Sequence, residues 1–261
     1  MKNSIFELKK ELKRIADSKK AKLLSGFFKT GKGEYGEGDI FLGIQVPQLR
    51  ELVKTYKVLN LTDVEELLHS KFHEERLMSL FILVEKFNKG LEKDKKEIYN
   101  LYLKNTKWIN NWDLIDLSAH EIVGRYLCRG PAASLPSASA PSTGSVRAVG
   151  SPSSGVTPLA LIRLAKSKNL WERRIAVLSS FRFIKNNRFN EALDLAEMLV
   201  QDKHDLMHKA VGWMLREIGK RDLKTEIVFL DKYCQKMPRT MLRYAIEKFP
   251  EKLRLSYLRG K

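Results

Sequence analysis

The chain is poor in the features that would assign it to several common classes. Among its 261 residues only two are cysteine, Cys128 and Cys234. They lie too far apart in sequence for a paired-thiolate metal site and are too few for a disulfide framework, so both are expected to be ordinary reduced thiols. No uninterrupted apolar run approaches the roughly 20 residues that a membrane span needs. The opening Met1-Lys2-Asn3-Ser4-Ile5 leads into a charged amphipathic pattern rather than a signal-peptide core, so a soluble, cytoplasmic protein is expected. Glycine-rich phosphate loops are missing, which argues against nucleotide hydrolysis. Neither Ser nor Cys stands in a recognisable nucleophile context, which argues against acyl transfer. Acid is scarce too: 48 Lys+Arg face 31 Asp+Glu, a net charge of +17. The excess is spread along the chain, and a folded domain with such a field suits a polyanionic partner, although a lysine-rich surface also serves solubility.

What is present is helical periodicity. Apolar residues recur at three- and four-residue spacing at Ile5, Leu8, Leu12 and Ile15, at Leu77, Leu80, Phe81 and Val84, and at Leu195, Ala196 and Leu199. Pro47, Thr62-Asp63 and Pro238 supply start signals. Successive helices of this length predict an all-α architecture, an α-solenoid of HEAT-like antiparallel pairs with a concave basic face. No strict repeat is visible in the sequence, so an irregular bundle is the alternative. A single domain spans residues 1–261, interrupted at about 129–158 by a Gly-, Pro-, Ala- and Ser-rich stretch without acid. That composition predicts disorder and reads best as an insertion foreign to the fold.

Scarce acid makes the stretch Asn110-Asn111-Trp112-Asp113-Leu114-Ile115-Asp116 conspicuous. A helix starting near Asn111 puts Trp112, Asp116 and His120 on one stripe at i, i+4 and i+8, with Ile115, Ala119, Ile122 and Val123 on the core side. Asp113, in the first turn, is expected to cap the helix or complement its dipole. Asp116 and His120 could form a local salt bridge or a base held by a histidine. Metal ligation has little support, because no further ligand stands at useful spacing. Further along, Lys209, Trp213, Arg216 and Lys220 form a stripe opposite Val211, Met214, Leu215 and Ile218. An indole flanked by cations suits stacking on sugar or base beside phosphate, and equally suits a tryptophan at the core margin. Arg173-Arg174 is another candidate phosphate contact. The loop Gly31–Asp39 lacks the register of a calcium loop and reads as a flexible connector near the binding face.

Taken in order, Tyr35-Gly36-Glu37-Gly38-Asp39-Ile40-Phe41-Leu42-Gly43-Ile44-Gln45-Val46-Pro47, Asn111–Asp116, Leu170-Trp171-Glu172-Arg173-Arg174-Ile175-Ala176 and Lys209–Glu217 resemble the AlkD-like DNA alkylation repair family of HEAT-like repeat DNA glycosylases. The resemblance covers the chain apart from about 129–158. It implies a monomeric, monofunctional glycosylase that binds duplex DNA, needs no cofactor, and removes N3- and N7-alkylated purines without full base flipping. It further implies Asp116 as catalytic carboxylate, Trp112 and Trp213 as sugar-facing indoles, and Arg174 and Arg216 as phosphate contacts. Lys209, Lys220 and Arg173 extend that basic set. A non-catalytic helical-repeat module binding nucleic acid or an acidic protein is the alternative reading.

Overall fold

The computed structural model describes residues 4–129 and 156–260. The proposed insertion therefore falls largely outside the described residues. Helices account for the regular structure, as expected; the described residues contain no strand, only an isolated parallel bridge between Ile40 and Phe72. The chain divides into two compact units, Met1–Val123 and Gly124–Lys261.

The first unit contains α1 (Ile5–Arg14), α2 (Ser18–Phe27), α3 (Val46–Tyr56), α4 (Leu61–Leu68), α5 (His73–Lys89), α6 (Glu92–Lys104) and α7 (Trp112–Asp116). Side-chain caps start several of them. Ser4 accepts from the Glu7 amide, Asp17 from the Lys19 and Lys20 amides, and Asn60 from the Asp63 amide, each satisfying donors that a helix start leaves orphaned. The α4 cap is thus Asn60, just upstream of the expected Thr62-Asp63 signal. Helix α5 forms the centre of the unit, with α3, α4, α6 and α7 packed on it. It is buried over most of its circumference, from His73 through Leu83, and such a helix must bury whatever stands in its first turn. Here that turn is His73-Glu74-Glu75-Arg76, and all four side chains are buried.

The second unit contains α8 (Arg125–Cys128), α9 (Leu159–Ala165), α10 (Leu170–Lys185), α11 (Asn190–Leu199), α12 (Asp205–Gly219), α13 (Leu223–Tyr233), α14 (Arg239–Ala245) and α15 (Glu251–Arg259). Helix α10 lies against α9, α11 and α12, and α12 lies against α13 and α14. Gly212 lets α12 and α14 approach closely, since a Cβ there would collide with the Met241 carbonyl and Tyr244. The expected core stripe of α12 is inside: Val211, Met214, Leu215 and Ile218 are buried.

The two central helices begin with the same short motif, a repeat that tertiary contacts reveal. Ser70-Lys71 is followed after three residues by Glu75-Arg76, and Ser167-Lys168 after three residues by Glu172-Arg173. In the first copy the Ser70 hydroxyl accepts from the Phe72 amide at 3.0 Å and Arg76 Nη1 donates to the Ser70 carbonyl at 3.1 Å. In the second, Ser167 accepts from the Asn169 amide at 3.0 Å and Arg173 Nη1 donates to the Ser167 carbonyl at 3.1 Å. Each arginine then closes on an aspartate from elsewhere in the chain, Arg76 on Asp39 at 2.6 Å and Arg173 on Asp202 at 2.7 Å. Ser, Arg and Asp thus form a clamp that fixes the entry angle of a central helix.

Candidate functional site

Helix α7 is a single turn and a half, and its faces are sorted by burial. Asn111, fully buried, caps it by accepting from the Trp112 amide at 2.8 Å. Asp113, Leu114 and Ile115 face inward, while Trp112 and Asp116, its first and last residues, are half-buried. The expected i, i+4 pairing of indole and carboxylate is therefore present. Regular helix does not run through to His120. It stops at Asp116, Leu117-Ser118 form a turn, and His120–Gly124 is a π-helix, which alters the rotation per residue. His120 Nε2 lies 3.0 Å from the Glu121 carboxylate. Ile115, Ala119, Ile122 and Val123 nevertheless fill the core as expected.

Beneath α7 lies a polar network that the sequence reading did not anticipate. His73 Nδ1 is 2.8 Å from Asp39 Oδ2, and its Nε2 is 2.8 Å from Asp113 Oδ2. Asp39 also receives Arg76, and Asn111 Nδ2 donates to it at 3.2 Å. The side chains of His73 and Asp39 are only 2% and 3% exposed. Burial opposes the charged imidazole, but Asp113 and Asp39 outweigh it and raise the His73 pKa to about 9. Burial likewise opposes ionisation of Asp39, yet His73 and Arg76 bring it down to about 2. At neutral pH the imidazolium thus donates from both ring nitrogens, one to each carboxylate.

Two expectations change here. Asp113 does contact the backbone of its own turn, accepting from the Leu114 amide at 2.8 Å, but its other oxygen binds His73. The Gly31–Asp39 loop is exposed over much of its length, yet Asp39 is an anchor rather than part of a loose connector. The following residues are anchored as well: the Glu74 carboxylate accepts from the Leu42, Gly43 and Ile44 amides at 2.8, 2.8 and 3.1 Å. The signal for this was a charged quartet, His73–Arg76, opening the apolar run of α5.

Aromatic stacking links the same parts. Trp112 stacks on Phe28 with centroids 5.0 Å apart, Phe28 on Phe41 at 4.9 Å, and Phe41 on His73 at 4.4 Å. Phe27, largely exposed, meets Trp112 edge-on at 5.9 Å. Asp116, at the other end of α7, acts on Tyr102: burial above all pushes the tyrosine pKa up, the hydrogen bond shared with Ser118 opposes it, and the Asp116 charge adds to the rise.

The second unit carries the remaining candidates. Lys209, Trp213, Arg216 and Lys220 share the outward side of α12, as predicted, with Lys220 the most open. Trp213 lies 6.0 Å from Phe181 of α10, and its Nε1 donates to Glu217 at 3.3 Å. Carboxylates already attend the cations: Lys209 pairs with Asp205 at 2.7 Å, Lys220 with Glu217 at 2.5 Å, and Arg216 with Glu247. Burial disfavours the Glu217 charge, but Lys220, Arg221 and the indole hold its pKa below the ordinary value. Arg173 is taken up by the α10 clamp. Arg174 is 5% exposed and donates to the Leu206 carbonyl at 2.6 Å, tying α10 to the start of α12.

Among the described residues no cluster of His, Cys, Asp and Glu has the makings of a metal site, and no helix is long and apolar enough to cross a membrane. Cys128 and Cys234 are free, and burial pushes the Cys128 thiol pKa up.

No curated protein matches the chain. Among solved structures it is similar to one described as a predicted DNA alkylation repair enzyme from Enterococcus faecalis, at 12% identity and a TM-score of 0.65, over 90% of this chain and 97% of that one. At that identity the likeness speaks for the fold. The sequence model of the DNA alkylation repair enzyme family matches residues 8–136 and 157–249, leaving out 137–156, which lie within the stretch of foreign-looking composition. With that match running over most of its length, the chain belongs to the DNA alkylation repair enzyme family.

Proposed function

We propose that the protein is a DNA glycosylase that hydrolyses the N-glycosidic bond of cationic N3- and N7-alkylpurines in duplex DNA. The observation that carries this reading is helix α7. In a member of a DNA alkylation repair family it presents a tryptophan and a carboxylate together, while the residues between them are buried. An alkylated purine already bears positive charge, so breaking the C1′–N bond sends the electron pair to a base that departs neutral and needs no protonation. What develops is an oxocarbenium-like sugar. Asp116 stabilises that cation electrostatically and orients water, whose oxygen bonds to C1′ as its proton passes to solvent. The Trp112 face adds cation-π stabilisation.

Trp213, on the second unit, is proposed as a further sugar-facing indole. Arg216, Lys209 and Lys220 are proposed as phosphate contacts that exchange an internal carboxylate for the DNA backbone. Arg173 and Arg174 serve the DNA surface mainly by fixing α10, given what their guanidinium groups already hold. The Gly-, Pro-, Ala- and Ser-rich stretch at about 129–158 is proposed to be an insertion foreign to the fold, a reading supported by the family match, which leaves out residues 137–156 within it.

The test is release of 7-methylguanine from methylated duplex DNA. Asp116→Asn should lower single-turnover release by about 10²–10³-fold, with salt-dependent DNA binding kept. Equal release by the variant would sink the reading. A wild-type chain that binds DNA and releases no base would favour a non-catalytic binding module. A chain lacking residues 137–156 should release base at least as fast as the full chain.

A further inference from the structure

The two clamps that start α5 and α10 share their serine, arginine and aspartate partners, but differ at the three positions between the lysine and the glutamate, the middle one being the telling one. Where the first copy has His73, the second has Leu170. The clamp itself works with leucine there, since Arg173 reaches both Ser167 and Asp202 without an imidazole. His73 is therefore not required by the local geometry of the helix start, and a buried cation at that position needs another reason.

Its contacts lead to α7 by two routes. Through Nε2 it holds Asp113, the residue after Trp112, and through Asp39 it reaches Asn111, the cap of the same helix. Through its ring it joins the stack Phe41–Phe28–Trp112. A helix of five residues cannot hold its own geometry, because so few backbone hydrogen bonds do not offset the cost of nucleation. External anchors must fix it, and His73 is where both sets of anchors meet.

We propose that His73 is a positioning residue for base release: clamped between Asp39 and Asp113 and stacked on Phe41, it fixes the first turn of α7 and with it the placement of Trp112 and Asp116. The proposal rests on the glycosylase reading for its kinetic consequence and on geometry alone for its structural one. The charged groups facing His73 are Asp39, from the loop before α3, and Asp113, from α7, with Arg76 of α5 on the far side of Asp39. Phe28 and Phe41 cover the ring.

Two measurements on His73→Gln test it. Single-turnover release of 7-methylguanine should fall by about a hundredfold while the Kd for duplex DNA stays within about twofold, the pattern of misplaced reacting groups rather than lost binding. In an Asp116→Asn background the same change should cost clearly less than in the wild type, because much of its effect acts through that carboxylate. The indole resonance of Trp112, assigned with Trp112→Phe, should shift in His73→Gln while that of Trp213 stays in place. If His73→Gln fails to fold, Asp113→Asn, which keeps an acceptor for Nε2 and removes only charge, should move the same resonance with a smaller loss of rate. Independent, multiplying losses in the double variant, or an unmoved Trp112 resonance, would overturn the proposal. Should the wild type release no base, the glycosylase reading fails separately and the resonance still decides the positioning role.

Discussion

The central helices α5 and α10 begin alike and diverge in what they hold. Each is set by a serine carbonyl and hydroxyl, an arginine and a distant aspartate. The first adds a buried imidazolium that ties α7 into the network; the second has leucine and spends its neighbouring arginine, Arg174, on the backbone at the start of α12. One fold-building device thus serves two ends. In the first unit, charge is buried and committed, with Asp39, His73, Arg76 and Asp113 in contact and little solvent among them. On α12 in the second unit, charge lies near the surface in pairs that solvent weakens and a DNA phosphate could replace. Burial separates an anchor from an exchangeable contact.

The sharpest way to break that contrast is to remove one partner on each side. Asp113→Ala leaves His73 with half its compensation in a dry site and should cost about 3–5 kcal/mol of stability by denaturant unfolding. Glu247→Gln, which removes the partner of Arg216 at a largely exposed carboxylate, should cost under about 1 kcal/mol. Similar losses in the two variants would erase the distinction. The same Glu247→Gln change should tighten duplex DNA binding about threefold at low salt, and the gain should fade as salt screens the phosphates.

Acidity sharpens the comparison next. The His73 pKa is raised from 6.5 to about 9, so its contribution is fully present below pH 6.5 and is lost as pH rises through about 9. The Asp39 pKa is lowered from 3.8 to about 2, so its contribution is present above pH 3.8 and is lost as pH falls through about 2. These two groups together therefore favour the folded state most between about pH 4 and 6.5. In a His73→Gln protein, unfolding free energy measured from pH 6 to 9 should decline less than in the wild type.

A buried carboxylate of the second unit gives an effect of the opposite sign. Glu226 of α13 is buried, its Oε1 has no hydrogen-bond partner among the described residues, and burial pushes its pKa up to about 9 against the pull of Arg216. Such a group is protonated when folded and ionised when unfolded, so it erodes stability as pH rises from 4.5 towards 9. Glu226→Gln should raise stability by about 1–2 kcal/mol at pH 8 and by less at pH 5, measured by thermal unfolding. An equal change at both values would show that Glu226 ionises normally in the folded protein.

How far each part could be read from the sequence follows from the range of the interactions involved. The inward stripe of α12 and the buried Ile115, Ala119, Ile122 and Val123 were legible because apolar spacing is a property of the helix itself. Trp112 and Asp116 were legible as a pair for the same reason. For His120 that spacing does not apply, because regular helix stops at Asp116, a turn follows, and a π-helix begins at His120 itself. Asp39 and His73 were missed because glycine and acid in a loop signal exposure, and nothing local indicates which carboxylate will be folded beneath a helix. The clamp repeat escaped because its aspartate precedes the helix in one copy and follows it in the other.

By itself the sequence determined the helical class, the core-facing stripes, the positive field and the motifs that mark the family, since each is written in residue type and short-range spacing. Tertiary structure decided which charges became anchors. That depends on bringing Asp39, His73 and Asp113 together from three separate segments and excluding water, and neither step leaves a periodic trace. The physical reason is that a carboxylate's role is set less by its neighbours in the chain than by how much solvent remains around it and which cations share that space.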